Sequence, residues 1–139
     1  MKKILLFITF ILYGITNAQN LNKGCEFNYQ AYSKKIFEDQ AKGIFKSVLS
    51  WDFSKLENDV EYSIEIVPVR DCINKESAIK FRETVILSSK DENLKKKDSK
   101  EISHSDYMTK CFKWRIILVD VKTSCRKVTD WEFISFINN

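Results

Sequence analysis

Ser103, His104, Ser105 and Asp106 stand in direct succession and include the residue types of a nucleophile, a base and an orienting acid. On an extended chain neighbouring side chains point to opposite sides, so these consecutive positions do not assemble a triad, and an exposed loop is the reading that follows. Two carboxylate pairs, Glu61 with Glu65 and Asp52 with Asp59, would suit glycoside hydrolysis if folding brought their members about 5 to 10 Å apart. Glu65, however, alternates with apolar residues, which marks it as the wet side of a strand. The chain contains no Gly-rich phosphate loop, no His-Glu-x-x-His and no Gly-x-Ser-x-Gly. Trp51, Trp114 and Trp131 would form a sugar platform if exposed together, yet each shares parity with the apolar residues of its segment, which assigns it to a core. The residues therefore point to a noncatalytic protein with no metal and no cofactor.

Four cations are more suggestive. Lys80, Arg82, Lys113 and Arg115 lie on the polar sides of two alternating segments, and if those segments share a sheet they project together near Glu65 and Glu132. Such a face suits an acidic partner. The other basic cluster, Lys95, Lys96, Lys97 and Lys100, is interleaved with Asp91, Glu92, Asp98 and Glu101, so it reads as a solvated loop.

The first eighteen residues have a separate logic. Lys2 and Lys3 precede an apolar run from Ile4 to Tyr13, broken only by Thr9, and Thr16-Asn17-Ala18 offers small residues where a signal peptidase reads. The run is shorter than the roughly 20 residues a membrane span needs, so residues 1–18 read as a signal peptide cleaved after Ala18, leaving no membrane anchor. Residues 19–139 then form one exported domain, secreted or periplasmic, with 21 basic against 19 acidic residues and a net charge of +2. That near balance gives no electrostatic basis for nucleic acid as a partner. Cys25, Cys72, Cys111 and Cys125 all lie in this part, where an oxidising compartment favours two disulfides from three possible pairings. Zinc is disfavoured by the absence of any Cys-x-x-Cys and by a single histidine.

Short segments rich in β-branched and aromatic residues dominate the mature chain. Strands are predicted over Phe45–Phe53, with an interruption at Ser47, over Glu61–Val69, over Ala78–Leu87 and over Phe112–Val121, with a closing strand over Trp131–Ile137. Pro68 lacks a backbone donor and should mark a strand end or an unpaired edge. Tyr29, Tyr32, Ile36 and Phe37 recur at helical spacing, so residues 28–42 are predicted as an amphipathic helix ending near Gly43, within an N-terminal segment 19–43 that precedes a β region 44–139. Residues 88–110 are mostly polar and compatible with a short helix, a strand near Ile102 or a loop, although some element is expected there.

Leu49-Ser50-Trp51-Asp52 resembles the second strand of a fibronectin type III domain. Phe112-Lys113-Trp114-Arg115-Ile116 followed by Asp120 resembles its sixth strand, and Trp131-Glu132-Phe133 resembles the Trp-x-Phe ending of bacterial extracellular members. The resemblance covers residues 44–137 and implies an antiparallel β-sandwich, here with an N-terminal helical segment. Phe112 replaces the family's corner tyrosine, the fifth strand is not visible, and the segment before Gly43 replaces the usual first strand. An α+β fold, with the helix packed on a curved antiparallel sheet, is the alternative. In the sandwich the third and sixth strands are antiparallel neighbours, which implies a Cys72–Cys111 bond. The start of the mature chain and the loop after the sixth strand share a pole, which implies Cys25–Cys125. Closing loops of about 40 and about 100 residues stabilises by roughly 4 and 5 kcal/mol as upper values.

The functional expectation is an exported, noncatalytic interaction module for a protein or a glycan. An inhibitor or immunity-type protein directed at an exported enzyme is the alternative, and a hydrolase with an unrecognised site is a third reading. Intact mass and N-terminal sequencing of the native product should find Gln19 first and no free thiol; retention of Met1 would refute export.

Overall fold

Along Val60–Val69 and Cys111–Asp120 the inward-facing positions are apolar, and that period of two dictates how the segments pair. In the computed structural model, which describes residues 25–39, 41–42, 44–73, 80, 82–92 and 94–136, they are the strands β3 and β6. They run antiparallel in unbroken register, from Val60 opposite Asp120 to Val69 opposite Cys111. The other strands are β1 (Gln30–Asp39), β2 (Ile44–Asp52), β4 (Val85–Ser88), β5 (Lys97–Ser103), β7 (Cys125–Val128) and β8 (Glu132–Ser135). A single helical turn, α1 (His104–Tyr107), separates β5 from β6.

Two antiparallel sheets result. One has the order β1-β2-β5, and the other has β4-β3-β6-β7, with β8 sharing the β7 edge of β6. Leu49 and Trp51 of β2 and Ile102 of β5 pack with Tyr62, Ile64 and Ile66 of β3 and Phe112, Trp114, Ile116 and Leu118 of β6. The sheets thus bury their inner faces against each other as a β-sandwich, the mainly β class that the alternation predicts. Phe136 crosses between them: its N–H donates to Lys110 O at 2.8 Å and its carbonyl accepts from Phe45 N–H at 3.0 Å. Phe112 packs its ring 5.3 Å from that of Phe136.

The helix expected over residues 28–42 is not formed. Its described residues include the ten-residue strand β1, while Gly43 lies outside the described residues. From Cys25 to Lys34 exposure alternates strictly, with Phe27, Tyr29, Ala31 and Ser33 on the less exposed side and Tyr32 turned to solvent. The helical spacing linked residues that lie on different faces. Pairing with β2 from Gln30↔Asp52 to Phe37↔Phe45 satisfies the backbone in its place, and the α+β alternative falls with the helix.

Residues 88–110 contain both elements that had been left open, β5 and α1. Their latch to the core is a pair of bonds to a short loop: Trp51 Nε1 donates to Lys95 O at 3.0 Å and Phe53 N–H to Lys96 O at 2.7 Å. The strand expected over Ala78–Leu87 contracts to β4; Arg82 to Thr84 are outside any strand, Lys80 makes a lone bridge opposite Val69, and Ala78, Ile79 and Phe81 lie outside the described residues. The closing strand begins at Glu132, one residue after Trp131, and β7 precedes it as a strand the sequence did not mark. Pro68 is the penultimate residue of β3, beyond the stretch paired with β4.

Cys72 is joined to Cys111 and Cys25 to Cys125, with Cα–Cα distances of 5.7 and 5.9 Å. Two disulfides in a domain of this size fit an oxidising compartment. The predicted signal peptide, residues 1–18, lies outside the described residues. Chemical unfolding should separate the two faces of the larger sheet. Ile66→Ala, in the core, should cost about 2–5 kcal/mol, whereas Ile86→Ala, 56% exposed, should stay within about 0.5 kcal/mol.

Candidate functional site

Because β3 and β6 pair without a bulge, the residues between their core positions all emerge on the outer face of the larger sheet. Glu65 lies directly opposite Arg115, and Val67 opposite Lys113. On the other edge of β6, Lys113 faces Phe133 of β8, which places Trp131, two residues earlier, level with Arg115. The side chains use this register. Arg115 Nε donates to Glu65 Oε2 at 2.6 Å, with the two side chains only 29% and 20% exposed. The Arg115 guanidinium carbon lies 4.2 Å from the centre of the Trp131 ring, and Lys113 Nζ lies 4.7 Å from the same ring and 5.9 Å from Phe133. Two cations on one indole, with one carboxylate beside them, leave the cluster net positive.

The cluster rests on a second, smaller hydrophobic group. Val67, Val69 and Cys111 are buried on this outer side, with Cys72, Trp131 and Phe133 packed against them. The Cys72–Cys111 bond therefore closes one end of the face. Trp131 is the residue that sequence parity misplaced: Trp51 and Trp114 are in the core, but Trp131 is half-buried on the outer surface. The signal that locates it is the pair of cations two positions apart on β6, Lys113 and Arg115, facing the Trp-x-Phe sequence, an arrangement in which both rings lie beneath ammonium or guanidinium groups.

Of the four cations expected on one face, Lys113 and Arg115 meet. Lys80 is exposed opposite Val69 at the end of β3, on the outer-face register, and Arg82 is exposed outside any strand. Arg126, which the sequence did not single out, is exposed opposite Val119 on the same outer side. Among the described residues, Lys80, Lys113 and Arg126 have no carboxylate partner, and the terminal nitrogens of Arg115 keep their donors free. Free guanidinium donors in a fixed fork are suited to a carboxylate from outside.

The other sequence candidates have local roles. Ser103 is the N-cap of α1: its Oγ accepts from Asp106 N–H at 3.2 Å, and its own N–H donates to Asp106 Oδ2 at 3.0 Å. Ser103 and Asp106 form a capping box rather than a triad with His104. Glu61 pairs with Lys90 at 3.0 Å, Asp52 with Lys97 at 2.8 Å, and Asp59 with Lys122, so each carboxylate of the two proposed pairs, like Glu65, holds a cation. Among the described residues no three His, Cys, Asp or Glu side chains are grouped as metal ligands, and no helix is long and apolar enough to cross a membrane.

No protein-family model matches this chain, and neither a curated protein nor a solved structure matches it.

A double-mutant cycle tests the stack. Arg115→Ala and Trp131→Ala should show a coupling of about 0.5–2 kcal/mol in urea unfolding, and strictly additive losses would mean that guanidinium and indole do not interact.

Proposed function

We propose that this chain is an exported, noncatalytic recognition module with a fibronectin type III-like sandwich, which docks an acidic protein partner through the outer face of its larger sheet. The observation that carries the reading is the pair of cations, Lys113 and Arg115, on the Trp131 ring. Tryptophan and arginine are the side chains most enriched where protein interfaces concentrate their energy, because they combine large apolar area with directional polar groups. Here Glu65 holds the guanidinium in place before any partner arrives, which reduces the ordering cost of association. Lys80 and Arg126 extend the positive potential to either end of the face, and Ile86, exposed beside Glu65, adds apolar area.

The strand orders β1-β2-β5 and β4-β3-β6-β7 support the family likeness, since they supply both the first and the fifth strand that the sequence had hidden. Export is supported by the two disulfides and by the charge and apolar pattern of residues 1–18. If the partner is an exported enzyme, the same docking makes this chain its inhibitor or immunity protein.

The oxidised protein lacking residues 1–18, immobilised and exposed to culture fluid and envelope extract, should retain a partner in one-to-one ratio that salt releases. Lys113→Glu combined with Arg126→Glu should lower that affinity about 100-fold, as expected for like charges placed against an acidic surface. Undiminished capture by the double variant would defeat the reading.

A further inference from the structure

The smaller sheet presents a different surface. Its three strands align Gln30, Asp52 and Lys97 in one register row and Tyr32, Ser50 and Ser99 in the next, all on the side away from the core. Ser50 and Ser99 are short, so the sheet is hollowed between the taller residues into a depression of about 360 Å³. That is near the small end of the roughly 300–1,000 Å³ typical of ligand sites and suits a single ring.

Three properties of the depression specify its ligand. Tyr32 stands at its edge 59% exposed, an aromatic ring among polar neighbours, with a face that water covers poorly. Among the described residues the Gln30 amide and the hydroxyls of Tyr32, Ser50 and Ser99 have no hydrogen-bond partner, so donors and acceptors converge there unspent. Two carboxylates line it: Asp98 Oδ1 accepts from Ser99 N–H at 2.8 Å, and Asp52 is held rigidly, its Oδ2 meeting Lys97 Nζ at 2.8 Å and its Oδ1 accepting from Ser54 N–H at 3.0 Å. Lys97 keeps the Asp52 carboxyl ionised well below the usual range, and two anchored oxygens still have lone pairs for further donors. Lys97 balances the charge of Asp52, and the second carboxylate, Asp98, disfavours an anion, which leaves a ligand without negative charge.

A ligand with an apolar face, a ring of hydroxyls and no charge is a neutral sugar. We propose that Tyr32, Gln30, Asp52, Ser50 and Ser99 form a binding site for a neutral pyranose, its C–H face on the tyrosine ring and its hydroxyls on the Asp52 carboxylate and the serines. This site goes beyond the protein-docking face, lies on the opposite sheet, and stands or falls independently of it.

Amide chemical shifts of the oxidised protein should be followed during titration with the methyl pyranosides of glucose, galactose, mannose and N-acetylglucosamine, and with sialic acid as the acidic control. At least one neutral glycoside should bind with a Kd of about 1 mM and shift the amides of Tyr32, Ser50, Asp52 and Ser99. Tyr32→Ala should weaken that binding about tenfold while Tyr32→Phe retains most of it, because the ring rather than the hydroxyl supplies the contact. Lys113→Glu should leave it unchanged. The exposure of Tyr32 makes its variants safe for folding, and Ser50→Leu, which fills the hollow, gives an independent loss. The proposal is overturned if none of the four glycosides moves these amides, if sialic acid alone does, or if Tyr32→Ala binds as well as the parent chain.

Discussion

The ten-residue pairing of β3 with β6 is the constraint from which the rest of the molecule follows. Side chains alternate with period two, so a slip of one position would turn Glu65 and Arg115 into the sandwich and expose Ile64 and Ile116. The inner core and the outer cation–aromatic stack are therefore two readings of a single register. The Cys72–Cys111 bond sits at the end of this ladder, where Val69 faces Cys111, and fixes the alignment covalently. Thr109 adds a bond from its buried Oγ1 to Val69 O at 2.6 Å at the same corner.

With that register set, the two sheets diverge in chemistry. The outer side of the larger sheet rests on its own apolar patch beneath Trp131 and carries uncompensated cations. On the outer side of the smaller sheet Asp52 pairs with Lys97 and Lys46 with Glu101. One face is suited to charge complementarity over an area, the other to a few directional bonds around one exposed ring.

How much of this was legible in the sequence depends on where each element keeps its apolar atoms. β2, β3 and β6 carry large side chains at alternate positions, and those segments read as strands without ambiguity. In β1 the inward positions include the small Ala31 and Ser33, while Tyr32 and Phe37 face water, so the pattern visible in the letters was the wrong one. β5 has one apolar residue, Ile102; its place is fixed by pairing with β2 and by bonds from Trp51 and Phe53 to the preceding loop, none of which leaves a periodic trace. The disulfide connectivity could be read only through the topology that the family resemblance implied. Lys113 and Arg115 were placed correctly by alternation, but their partner Trp131 was not, because aromatic residues look the same in a core and beneath a cation.

The bond between Cys25 and Cys125 closes one hundred residues of sequence separation into a covalent ring. Tension applied through the segments before Cys25 and after Ser135 would cross from sulfur to sulfur and bypass β1 to β6 entirely. Only β7 and β8 could be drawn out, a few nanometres of slack at most by strand dimensions. β1 to β6 and the outer face of the smaller sheet would hold their shape under load, whereas Arg126, Trp131 and Phe133, which lie beyond Cys125, would be pulled from the larger sheet, and a protease cut anywhere within the ring would leave the two pieces tethered.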